Sequence, residues 1–208
     1  MTGFAAKEHE GPAPDPPPAG GRRRSVTLAG RTTRYAAFLR AVNIRGRVVK
    51  MDRLRRMFES LGCTGVQTFI ASGNVVFESP KSAKELEQEI EAVLQRAFGF
   101  PVPSFVRSLA ELTAVARHQP FSQPDGANLH IIFLKDAPPK SSRRKVLALA
   151  TEVDDFRIRG REVYWLLRGR FSDSKVGGPV LGKALGRDAT VRSSTTVRRM
   201  AEKFAART

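Results

Sequence analysis

Ten polar side chains of this sequence are suited to hold an anion: Arg40, Asn43, Arg45, Ser72 and Asn74 early in the chain, and Lys135, Lys140, Arg159, Arg161 and Arg187 later. A guanidinium offers a planar fork of donors to phosphate or carboxylate, and glycine-containing turns such as Ser72-Gly73-Asn74 add backbone N–H groups. The plainer reading is that Asn43, Ser72, Gly73 and Asn74 close turns while the cations are solvated. Arg40 follows an apolar run and stands at the end of a strand, where a ligand would meet it. A small enzyme using Arg40, Asn43, Ser72 or Asn74 as substrate clamps is the rival reading.

Covalent chemistry has thinner support. His130 lies in an apolar stretch and reads as a core or edge residue, and His118 follows a helix, where an imidazole complements the terminal carbonyls. Ser172 and Lys175 have the spacing of a nucleophile pair on a helix, but the companion motifs of such enzymes are missing. Asp154 and Asp155 are neighbours on a strand and point to opposite faces, so they do not form a carboxylate pair. No metal-spaced His/Cys set and no glycine-rich phosphate fingerprint occurs, so no catalytic residue, metal or cofactor is assigned.

The 208 residues carry a formal charge of +16, and 41% are apolar. That is enough apolar content for a core, and the charge draws polyanions more strongly at low salt. Residues 1–33 account for only +2 of it, leaving about +14 on residues 34–208. The first 33 residues are rich in Pro, Gly, Ala and Arg, a composition that buries too little apolar surface to order itself. A single cysteine, Cys63, excludes an intrachain disulfide, and no apolar run reaches the ~18 residues of a membrane span. Both features suit the cytoplasm. Arg-rich usage spread over a solvated surface would explain the charge equally simply.

The elements that must position these side chains follow from periodicity. Residues 35–39 read as a strand. Met51, Leu54, Met57, Phe58 and Leu61 recur at helical spacing up to Gly62, and 66–71 with 75–78 form a hairpin. Ser82 with Glu85 is a capping box that opens a helix ended by Gly99, followed by a strand over 103–107. A second box, Ser108 with Glu111, starts a helix that joins the halves. The order then repeats: strand 129–134, helix 142–150, strands 156–159 and 162–168, a helix near 180–185 and a short strand at 189–192. A last helix shows Val197, Met200, Ala201 and Phe204 on one face.

The expected fold is therefore α+β, with two linked ferredoxin-like βαββαβ subdomains whose antiparallel sheets are covered by helices. Residues 34–107 would form the first, 108–128 the link, and 129–208 the second. In this topology the loop after the first strand, the hairpin turn and the loop before the last strand share one end. The ten polar residues would then gather on one basic rim.

Residues 34–46, from Arg34-Tyr35-Ala36-Ala37-Phe38-Leu39-Arg40 to Asn43-Ile44-Arg45-Gly46, then Lys50-Met51, Leu54 and 66–77 through Ser72-Gly73-Asn74-Val75-Val76-Phe77, resemble the opening signature of the DUF1697 family, bacterial proteins of unknown function. Lys175, Leu185-Gly186 and Thr196-Val197 match later positions. The resemblance implies the same pair of ferredoxin-like subdomains and no particular activity. Ala41 and Arg45 stand where the family usually has glycine, and Ser193-Ser194-Thr195-Thr196-Val197 replaces an Asn-Trp-Asn-Thr-Val run, so a site built there would be altered. Together these features favour an anionic partner, either nucleic acid or a phosphorylated small molecule. A protein interaction module is a further alternative, with exposed charge as its only support.

Overall fold

The computed structural model describes residues 32–40, 49–70, 73–122 and 127–205. Asn43, Arg45, Ser72 and residues 1–31 of the expected tail lie outside them. The first half runs β1 (Thr33–Leu39), α1 (Met51–Glu59), β2 (Thr64–Thr68), β3 (Asn74–Ser79), α2 (Ala83–Phe98) and β4 (Ser104–Ser108). After α3 (Leu109–Arg117) come β5 (Ala127–Phe133), α4 (Lys140–Leu147), β6 (Asp154–Arg159), β7 (Glu162–Arg168), α5 (Gly178–Leu185), β8 (Thr190–Ser193) and α6 (Ser194–Ala205). The mixed α+β class is as expected. The strands form two four-stranded antiparallel sheets, ordered β2-β3-β1-β4 and β6-β7-β5-β8.

Local signals place the element ends. Ser82 accepts from the Glu85 N–H while the Glu85 carboxylate accepts from the Ser82 N–H, and Ser108 and Glu111 repeat the exchange at α3. Each box satisfies donors that a helix start leaves open. Gly99 closes α2 in the left-handed region, at φ 76°, where a Cβ would be strained. The polar stretch 172–178 is not helical throughout. A 3-10 turn occupies Phe171–Asp173, Lys175 lies beyond it, and the proposed Ser172/Lys175 pair therefore shares no helix.

Successive residues of β1 face two different cores. Ala37 and Leu39 pack under α1 and α2 with Leu54, Phe58, Leu86, Ile90 and Leu94. Ala36 and Phe38 face the other way, into a core shared with Phe133, Ile131 and Tyr164 of the second sheet and with apolar residues of α3 and α6. Phe38 stacks on Phe133 with ring centroids 4.2 Å apart. The outer face of the second sheet packs Ile132, Trp165 and Leu167 against Val146 of α4 and Leu181 and Leu185 of α5. From one side to the other the layers are α1/α2, sheet, shared core with α3 and α6, sheet, α4/α5. Each buried aromatic contributes about 1.5–3 kcal/mol by leaving water, so the shared core ties the described residues of both halves into one unit.

Candidate anion-binding surface

The rim geometry follows from strand pairing. The Leu39 N–H donates to Gly73 and the Arg40 N–H to Pro103, which sets the end of β1 beside the hairpin turn and the loop before β4. The second half repeats this, with the Leu134 N–H donating to the Arg161 carbonyl and the Arg187 side chain reaching the Asp136 carbonyl at 3.5 Å. The two ends adjoin. Arg40 pairs with Asp188, and Lys135 pairs with Glu91 of α2 at 2.6 Å.

Three of the six candidate cations among the described residues are already matched. Besides those two pairs, Arg161 binds Glu111 at 2.8 Å. Asn74 is buried, its amide donating to the Phe69 carbonyl and its oxygen accepting from Arg192, so this side chain holds the turn. Arg40 and Arg187 share the wall of a cavity of about 210 Å³ with Thr190 and the glycines of α5. Arg159 lies with Arg161 in a separate cavity beside α3. Lys140 is exposed at the first position of α4.

Two arginines, Arg107 buried and Arg192 half-buried, stitch the halves, and the sequence reading passed over both. Arg107 of β4 is fully buried; it donates to Glu162 at 2.7 Å and to the Leu134 carbonyl at 2.6 Å, and lies over the Phe133 ring. Burial pulls its ionisation below the usual guanidinium range, and Glu162 opposes the shift. Arg192 of β8 donates to Asn74 and to the Leu39 carbonyl, and burial brings it down to about 10. The available signal was an arginine directly after two apolar strand residues, as in Phe105-Val106-Arg107. Its acidic partner lies 55 positions away in the chain.

Other candidates have structural roles. Asp154 is buried and accepts from the Trp165 indole and the Ser174 hydroxyl, while Asp155 pairs with Arg157 and Arg168, so the adjacent acids do diverge. His130 lies among the Trp165 and Phe171 rings, and burial lowers its pKa, keeping it neutral at pH 7. His118 is the C-cap of α3. Cys63 is buried and its thiol is pushed up to about 11, chiefly by desolvation, which suits packing and not reactivity. Among the described residues no three His, Cys, Asp or Glu side chains gather as a metal site, and no helix is long and apolar enough to cross a membrane.

The largest electrostatic contrast lies in the helix layers. Residues 50–62 and 81–99, which hold α1 and α2, contain seven Lys/Arg and six Asp/Glu. Residues 137–151 and 174–187, which hold α4 and α5, contain Lys140, Arg143, Arg144, Lys145, Lys175, Lys183 and Arg187 and no Asp or Glu. None of these seven is buried, and none makes an ion pair among the described residues. Phe171, 60% exposed, sits on the same outer side of the sheet, against Trp165.

Comparison with known proteins agrees with the fold. A structure of the conserved bacterial protein SP0830 from Streptococcus pneumoniae superposes with a TM-score of 0.67, at 22% identity, covering 82% of this chain and 98% of that one. No curated protein matches the sequence. The model of a protein family of unknown function, DUF1697, matches residues 32–164. The chain belongs to the DUF1697 family.

Proposed function

We propose that this protein binds the phosphate backbone of single-stranded nucleic acid in the cytoplasm, through the outer α4/α5 layer. The observation that carries this is the charge of the layer: seven accessible cations without an ion pair among the described residues, on stretches 137–151 and 174–187 that hold no Asp or Glu and are bordered by Asp136, Glu152, Asp173 and Asp188. Neutralising a row of phosphates releases condensed counterions, the main source of sequence-independent affinity. The rim expected from the sequence contributes Lys140 and Arg187 to this layer, while Arg40, Lys135 and Arg161 are held by Asp188, Glu91 and Glu111.

Base reading has little room. Each sheet has one face under helices and the other in the shared core, so neither offers an open platform of the kind used by RNA-recognition sheets. Phe171 is an exposed aromatic beside the basic layer, preceded by Arg170 and followed two residues later by Asp173, and a stacked base there favours single strands over duplex. Asn74, a clamp in the rival enzyme reading, is occupied by Phe69 and Arg192.

The test is fluorescence anisotropy of the full chain with labelled single-stranded RNA and duplex DNA of mixed sequence, at 50 and 200 mM salt. Binding that favours the single strand, ignores base sequence and weakens at least tenfold across that range is expected. Absence of binding at the lower salt overturns the reading.

A further inference from the structure

A second candidate site lies on the opposite side of the β5–β8 sheet. Between α3 and the β6–β7 turn is a cavity of about 290 Å³, walled by Arg159, Arg161, Glu162, Tyr164, Ala114 and Val115. That volume is at the small end of ligand sites. Tyr164 is only 1% exposed, yet its hydroxyl makes no hydrogen bond with the described residues. The hydroxyl is not sealed from water, so it opens on the cavity, where a ligand oxygen could take its proton as acceptor. Burial, aided by the Glu162 charge, pushes this phenol up to about 12, so it is a donor at neutral pH.

The charges around the cavity are unequally committed. Arg161 is paired with Glu111, and Glu162 with Arg107. Arg159 is exposed and has no ion pair among the described residues, though it is near enough to Tyr164 to bear on its ionisation. The geometry points to a binding site for a small organic anion, a carboxylate or phosphomonoester, whose charged oxygens meet Arg159 and the Tyr164 hydroxyl while its body lies on Ala114 and Val115. This site is independent of the nucleic-acid face, because Tyr164 faces the shared core and α4/α5 pack on the other side of the sheet.

The experiment titrates the full chain with phenyl phosphate, benzoate and, as uncharged control, benzyl alcohol, followed by saturation-transfer NMR. At least one anion binds saturably and the alcohol does not. Arg159→Ala and Tyr164→Phe each weaken binding at least tenfold, and Tyr164→Phe leaves Tm unchanged or raised because it removes a hydroxyl without a partner. The triple variant Arg143→Glu, Arg144→Glu, Lys145→Glu keeps this binding, which separates it from the nucleic-acid reading. Absence of saturable binding by either anion overturns the proposal. So does binding indifferent to both single variants, or a Tm lowered by several degrees in Tyr164→Phe.

Discussion

The two halves share element order and strand order but spend their charges differently. In the first, cations sit beside helix carboxylates: Arg55 pairs with Asp52 within α1 at 3.8 Å, Lys81, just ahead of α2, pairs with Glu89 at 2.6 Å, and Glu85 closes the Ser82 cap. In the second, α4 begins at Lys140 with Pro139 as N-cap, no side-chain cap and no acid in its first turn. A helix start favours negative charge and a capping oxygen. The sequence Lys140-Ser141-Ser142-Arg143-Arg144-Lys145 goes against local stability there, and rules of local structure tend to be broken where function requires it.

The sharpest test of how the halves are joined is Arg107→Ala. It leaves Glu162 buried without its partner and should cost about 3–5 kcal/mol, read by urea denaturation as one transition for both sheets. A loss below 1 kcal/mol, or two separate transitions, would show that the halves do not depend on this pair. Smaller effects contrast the helix starts. Ser82→Ala should cost about 1 kcal/mol, whereas Lys140→Glu should raise stability by about 0.3–1 kcal/mol while weakening RNA binding. A stabilised variant with unchanged binding would deny the trade between stability and charge at α4. Arg40→Ala should have the least effect, up to about 1 kcal/mol, since its pair with Asp188 is exposed, and a larger loss of RNA affinity than Lys140→Glu causes would return the rim to prominence.

Much of the fold could be read from residue spacing. Both capping boxes, the Gly99 stop and the β7 range 162–168 stand where local chemistry put them. Boundaries moved where the signal was mixed: β1 begins at Thr33, ahead of its apolar run, and α4 at Lys140, ahead of Ser142. The shared core was harder to foresee. Residues 35–39 are apolar at every position, and an unbroken run shows that both faces are buried without naming what covers the second one. The site was legible by half. Arg40, Arg161, Lys135 and Arg187 lie at adjoining loop ends, but Asp188, Glu91 and Glu111 come from distant segments and their pairing follows no local rule. The absence of acids from 137–151 and 174–187 was visible in the letters; that both stretches form one layer was not.

The proposal that the α4/α5 layer is the nucleic-acid face is tested most directly by salt titration of single-stranded RNA binding in three proteins. These are the wild type, the α4 triple variant Arg143→Glu, Arg144→Glu, Lys145→Glu, and an equally charged control, Arg55→Glu, Arg56→Glu, Lys84→Glu, on α1 and α2. With about 0.7 in slope for each phosphate contact on a single strand, the α4 variant should lose about 2 from the slope of log K against log salt, and the control should keep the wild-type slope. Equal losses in both variants, or none in the α4 variant, would contradict the account.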